Sequence, residues 1–284
     1  MREPQLTKTT NPSHTFIMKH KNPIVQEVIE NFQTVKLMSK IFTSTETPSA
    51  TRGLLISGDA GMGKTYYTME GLYQGTHESN IEYVKGSSIS AAAMYVKLFL
   101  CREQGKVLVL DDVDLIHKSV GELMTIIDLL KGATEMTSGE RIIGWERVTQ
   151  VGLFKELGIP SSFDFQGSVV WITNDKIEDI AKKLKGHWPA ISSRFTQIPI
   201  RLEDYQKLQY SLYLVEEEGM LTHRCQVKEG GYSEDIVEMT LEYVRDNYRV
   251  LKEVSPRNFI KIADTIETYP NHWKMLCDNS LISK

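Results

Sequence analysis

Eight residues, GDAGMGKT at positions 58–65, hold three glycines, a lysine and a threonine directly after the apolar run LLIS. Gly58, Gly63, Lys64 and Thr65 fit the spacing G-x-x-x-x-G-K-[ST], which curls backbone N–H groups around phosphate oxygens. In such a cradle Lys64 reaches the β and γ phosphates and the Thr65 hydroxyl holds Mg²⁺. The helix predicted next, TYYTMEGLY, aims its positive end at the same oxygens. Asp59, Ala60, Gly61, Met62 and Tyr66 complete the stretch expected to wrap the nucleotide. The alternative is a glycine-rich turn with an accidental lysine. A strand before and a helix after favour the cradle, so the implied ligands are a nucleoside triphosphate and Mg²⁺.

A second apolar run, KVLVLDDVD, ends in acids. Asp111 is the candidate for the Mg²⁺ shell and Asp112 the candidate to polarise an attacking water. A strand end with solvated acids is the bland alternative. Asp114 reads as a helix cap or salt-bridge partner.

The elements that must position these groups follow from periodicity. Asn22 caps and Pro23 opens a helix whose apolar face is Ile24, Val28, Ile29, Phe32, Val35 and Met38. From 54 to 200, short apolar runs (LLIS, IEYV, VLVL, SVVWIT) alternate with helical or loop stretches, the pattern of a parallel sheet covered by helices. After Leu202 the chain reads as helices, with Ile236, Val237, Leu241, Val244 and Tyr248 in one stripe capped by Ser233. The expected layout is an arm and helix over 1–49, an α/β nucleotide-binding base over 50–202, and a helical lid over 203–284.

Composition bounds the rest. The chain has 284 residues, 33 basic and 37 acidic, with formal net charge −4. A chain that coats duplex nucleic acid by bulk charge is usually basic, so that balance argues against it and leaves room for local patches. Cys101, Cys225 and Cys277 are far apart and show no metal spacing, which implies a reducing compartment. The opening MREPQLTKTTNPSH has no apolar core of a secretory signal, and no stretch reaches the length of a membrane span. The expected location is cytoplasmic, the host cytoplasm if the chain is viral.

These motifs, with those that follow them, resemble the AAA+ ATPase family over roughly residues 22–270. SVVWITND resembles that family's sensor-1 strand, which implies that Asn174 stands beside the γ-phosphate and the water. ISSRF resembles its S-R-F box, which implies that Arg194 is a finger reaching the neighbouring subunit's nucleotide. SPRNF resembles sensor 2 on the lid, which implies a γ-phosphate contact for Arg257. The resemblance implies an α/β P-loop base with a parallel central sheet, a small all-helical lid, and a homo-oligomer in a hexamer-like ring. Ordinary alternatives are a surface salt bridge for Arg194, a lid-surface arginine for Arg257 and a turn residue for Asn174. The family usually carries Asp-Glu where this chain has Asp111-Asp112.

Two segments could meet a substrate. KGSSISAAAMYVKLF follows the second strand, where the family commonly grips substrate, and offers Lys85, Met94 and Tyr95. Helical spacing favours Met94 and Tyr95 as core. Between the acidic strand and Asn174, RIIGWERV and SSFDFQG read as short strands of an insert, similar to one in several nucleic-acid motors, including viral superfamily 3 helicases. Lys131, Arg141 and Arg147 would then face phosphates and Trp145 would stack on a base, or the hairpin is structural and Trp145 packs on the domain. Small stand-alone members with an LLKGA stretch and such an insert resemble phage or plasmid ATPases. KKLKGHW, at 182–188, reads as a nucleic-acid contact or a solvated helix face. The partner is thus nucleic acid or another protein: a remodeller of nucleic acid (helicase, helicase loader or recombination factor) or a protein unfoldase.

Overall fold

The computed structural model describes residues 20–46, 50–86, 88–115, 118–136, 139–147 and 150–283. Most of the expected N-terminal arm lies outside the described residues, as do Ser87 of the second-strand loop and 137–138 and 148–149 of the insert.

In chain order the elements of the first part are α1 (Pro23–Ile41), β1 (Gly53–Gly58), α2 (Lys64–Tyr73), β2 (Ile81–Lys85), α3 (Ala91–Leu100), β3 (Val107–Asp111) and α4 (Val120–Ala133). Next come β4 (Ile142–Gly144), α5 (Val151–Glu156), β5 (Ser162–Asp164), β6 (Ser168–Thr173), α6 (Ile177–Leu184), α7 (Trp188–Ser192) and β7 (Phe195–Ile200). Four helices close the chain: α8 (Asp204–Glu216), α9 (Glu234–Asn247), α10 (Pro256–Thr268) and α11 (Trp273–Leu281).

The four apolar runs form one parallel sheet with a fifth strand, in the order β2-β3-β6-β1-β7. β3 and β6 are buried along their whole length, which is why they read as unbroken apolar runs. The fifth, β7, has no unbroken apolar run to mark it in the sequence. Thr196, Gln197 and Pro199 interrupt its apolar pattern, and an edge position tolerates a residue that cannot donate to the ladder.

Side chains alternate between two cores. Leu55, Leu108, Leu110 and Trp171 face α3 and α4, while Leu54, Ile56, Val109 and Ile172 face α1 and α2. The Asn22 side chain caps α1 by accepting from the Ile24 N–H at 3.0 Å, as expected. Val28, Phe32 and Val35 on α1 are fully buried, and Phe32 stacks on Tyr67 and Tyr210. The last four helices enclose a third core around Val244, Phe259 and Ile262. Ser233 stands at the N-cap position of α9, without a hydrogen bond from its side chain to the helix. Tyr210 of α8 belongs to the sheet's core and Leu208 and Val215 to the helical one, so α8 joins the two.

The two short strands of the insert exist: β4 and β5 pair antiparallel, with α5 between them. Of the residues that could meet nucleic acid, Arg141 and Trp145 are buried, as the alternative of a structural hairpin has it for Trp145, whereas Lys131 is half-buried and Arg147 is exposed. Trp145 is 7% exposed and packs on Tyr95 and Phe154, with ring centroids 5.5 and 5.2 Å away. Arg141 is 5% exposed, and its guanidinium is spent on the carbonyls of Glu135 and Phe165 and on Gln166. Lys131 pairs with Asp128, and Arg147 donates to the Thr125 hydroxyl. Met94 and Tyr95 are core residues of α3.

Candidate functional site

The cradle begins where β1 ends. At Gly58, with φ at +152°, an added Cβ would lie 2.2 Å from the Ile200 carbonyl oxygen, so no other residue fits beside β7. At Gly61, with φ at +74°, a Cβ would lie 3.2 Å from Ser255 Oγ and 3.4 Å from Arg257 Cβ. The start of α10 is therefore packed directly on the loop. Met62 is buried beneath it, and left-handed Gly63 caps α2. Ala60 is half-buried, and Asp59 is exposed and paired with Lys207 of α8 at 2.8 Å. Burial opposes the charge on Lys207, but the Asp59 and Asp204 carboxylates outweigh it and raise its pKa.

Lys64, the first residue of α2, is 5% exposed. Its ammonium donates to Gly58 O at 2.9 Å, Asp59 O at 2.8 Å and Asn174 Oδ1 at 2.8 Å. Burial lowers its pKa, the carboxylates of Asp112, Asp111 and Asp59 oppose that, and the Arg257 charge pushes the same way as burial. Thr65 Oγ1 lies 3.1 and 3.0 Å from the two oxygens of Asp111, to which it donates.

Asp111 ends β3 and is 1% exposed. A second donor reaches it that sequence reasoning missed: the Tyr83 hydroxyl of β2 donates to Asp111 Oδ2. Lys85 pairs with Asp111 across the strands, and Tyr83 lies two residues earlier on the same face. Burial raises the Tyr83 pKa, and the Asp111 carboxylate adds to it. Asp112 turns into the left-handed region at φ +50°, a conformation that aspartate tolerates better than most residues. Its N–H still bonds Ile172 O at 3.0 Å, while its carboxylate swings out to accept from Asn174 Nδ2 at 2.8 Å. Asn174, one residue beyond β6, thus joins Lys64 to Asp112.

The structure brings together the cradle residues 58–65 with Asp111, Asp112, Asn174 and, from α10, the exposed Arg257. Arg194 stands apart. It precedes Phe195, which pairs with Gly53, whereas Gly58 pairs with Ile200. Five strand residues, about 17 Å, separate that end of β1 from the cradle.

A cavity of about 320 Å³ adjoins the cradle on its α8 side. Gly61, Met62, Tyr66, Tyr213 and Ile260 are among its walls. Tyr66 is exposed there and packs edge-on against Tyr67 at 5.1 Å. Among the described residues no group of three His, Cys, Asp or Glu side chains could hold a metal ion, and no helix is long and apolar enough to cross a membrane.

No model of a known protein family matches the chain. A phage T4 protein, described as an uncharacterized 36.7 kDa protein in the nrdC-mobD intergenic region, is 30% identical over 261 residues, covering 88% of this chain and 76% of its own. The chain belongs to the family of that T4 protein. Similar solved structures include the Thermotoga maritima RuvB Holliday junction branch migration motor, at 13% identity and TM-score 0.45 over 90% of this chain. Domain III of the Thermotoga maritima replication initiation protein DnaA gives 15% identity and TM-score 0.44 over 98% of this chain and all of its own. Brucella abortus NtrX in complex with ATP gives 14% identity and TM-score 0.41 over 84% of this chain. The chain spans 64% of the RuvB chain and 53% of the NtrX chain. This relative of the T4 protein has a five-stranded parallel sheet with the glycine-rich 58–65 loop between β1 and α2, followed by an all-helical region.

Proposed function

We propose that the chain is an ATPase that binds ATP with its phosphates in the 58–65 loop and cleaves it at a boundary between two copies of itself. The observation that carries this is the bonded row Lys64–Asn174–Asp112, set at the ends of β1, β3 and β6 beside Asp111 and Thr65. An ammonium, an amide and a carboxylate in that order fit a γ-phosphate and the water that attacks it. The cavity bounded by Tyr66, Tyr213 and Ile260 is of a size for the base.

Thr65 and Asp111 offer adjoining hard oxygen donors and would hold Mg²⁺, with phosphate oxygens and water completing the shell. When bound, that ion neutralises charge on the phosphates. Asp112 accepts a proton from the water while Asn174 orients it. The water oxygen bonds to the γ-phosphorus as the bond to the bridging oxygen breaks. Lys64 and Arg257 stabilise the negative charge. Arg194, at the far end of β1, cannot complete its own site and supplies its guanidinium to the next copy. Turnover then moves the helical lid against the base, because the start of α10 rests on Gly61.

The work done is remodelling or translocation of nucleic acid or a nucleoprotein complex, supported by the hairpin placed ahead of β6. One observation favours a protein partner instead. The insert exposes Ile142, Leu153 and Leu157 while it hides Arg141 and Trp145. Turnover rates with single-stranded DNA, duplex DNA and unfolded protein, read beside the assembly state with and without ATP, test all of this. No hydrolysis in any assembled state sinks the enzyme reading. Stimulation by unfolded protein alone transfers the target to the second reading.

A further inference from the structure

Arg194 is held, not loose. Its Nε and Nη2 donate to Glu135 Oε2 at 3.0 and 2.6 Å, and its Nη1 donates to Ala190 O at 2.8 Å. Three of the five guanidinium donors are thereby taken, which leaves one on each terminal nitrogen. Glu135 follows the C-cap of α4. Its own carbonyl accepts from Arg141 Nε at 2.9 Å. Arg141, just ahead of β4, also holds Phe165 O at 3.3 Å and Gln166 Oε1 at 3.1 Å, and its N–H donates to Asp164 Oδ1 of β5 at 2.7 Å. A continuous set of bonds thus runs from the β4–β5 hairpin through Glu135 to Arg194.

We propose that Glu135 is the positioning residue of the arginine finger: it fixes the attitude in which Arg194 meets the neighbouring copy's nucleotide, and it ties that attitude to the hairpin. The inference rests on the reading of Arg194 as acting between copies. Glu135 touches no substrate and acts only through Arg194. An arginine side chain has many rotamers. One anchored along an edge arrives already oriented, and a misplacement of about 1 Å costs about 100-fold in rate. The pair is partly exposed, 24% at Arg194 and 47% at Glu135. Such a surface pair contributes little to stability, so its loss should register in kinetics rather than in folding. A partner that shifts the hairpin would, through Arg141 and Glu135, alter turnover next door.

The test uses finger donors. Chains bearing Lys64→Ala cannot turn over their own site but still present Arg194. Such donors, plain or with added Arg194→Ala or Glu135→Gln, are mixed in large excess with the unaltered chain under assembling conditions. Relative to plain donors, Glu135→Gln donors should lower kcat about tenfold at unchanged KM for ATP, and Glu135→Asp donors should recover part of it. Arg194→Ala donors that leave kcat unchanged overturn the between-copies reading itself. If those donors depress kcat while Glu135→Gln donors match plain ones, the positioning role is wrong. Thermal melting of each donor separates misfolding from misplacement. Should Glu135→Gln melt early, Arg141→Lys, which keeps the charge but loses the fork, takes its place, with kcat again expected to fall.

Discussion

Asn174 joins Lys64 to Asp112: its side-chain oxygen accepts from the ammonium and its amide nitrogen donates to the carboxylate, both at 2.8 Å. Lys64 opens α2 and Asp112 follows the end of β3, and one neutral side chain sets the gap between them. A water and a γ-phosphate that replace this direct row would find donor, acceptor and base already in line.

Lys64→Ala should abolish nucleotide binding, with at least about a 100-fold rise in Kd, because a buried cation aimed at phosphates has no substitute in the loop. Titration with a fluorescent ATP analogue measures it. Binding within a few fold of the unaltered chain would move the site elsewhere.

Asp112→Asn should bind ATP normally and hydrolyse it about 100- to 1,000-fold more slowly, since the amide holds the geometry but takes no proton. Single-turnover rates beside equilibrium binding separate the two. Full turnover in this variant removes Asp112 from the mechanism.

Arg194→Ala should cut kcat by about 1,000-fold with nearly unchanged ATP affinity. Mixed with Lys64→Ala chains, which lend an intact arginine, it should recover activity. Absence of recovery in a confirmed mixed assembly argues against a shared site.

Tyr83→Phe should raise the Mg²⁺ concentration at half-maximal turnover about tenfold, because it removes a hydrogen bond that fixes the buried side chain of Asp111. Affinity for metal-free nucleotide should stay the same. A Mn²⁺-binding titration by electron spin resonance checks the metal directly, and an unchanged affinity would assign Tyr83 to packing.

Burial pushes the Cys101 thiol up to about 12. The thiolate is the reactive form, so at pH 8 Cys101 should resist iodoacetamide in the folded chain while half-buried Cys225 is labelled. Reactivity at Cys101 should climb only as pH rises toward 12 or as the chain unfolds. Mass spectrometry of labelled peptides reads both.

What the sequence discloses is what lies close along it. The 58–65 loop, the paired acids and Asn174 each sit at the end of an apolar run, so type and spacing sufficed, and the sheet then brought them together. Tyr83, Lys207 and Glu135 reach their partners through sheet pairing or packing between distant segments, and nothing in their local pattern marks them. β7 was hidden by its polar residues and proline. The short strands of the insert are legible, and they leave Trp145 open between stacking and packing; the folding of the hairpin onto α3 and α4, which buries Arg141 and Trp145, is not.

The ladder between β1 and β7 has one further consequence. The 58–65 loop and Arg194, which precedes β7, hang from opposite ends of the same run of backbone hydrogen bonds. If Arg194 acts between copies as proposed, the distance between a copy's own nucleotide and the guanidinium it supplies is a count of rungs, indifferent to drift in surface side chains. Deleting one rung would shorten that gauge by about 3.3 Å in every member of an assembly at once. Were the copies arranged in the proposed ring, it could absorb the change only by altering its curvature.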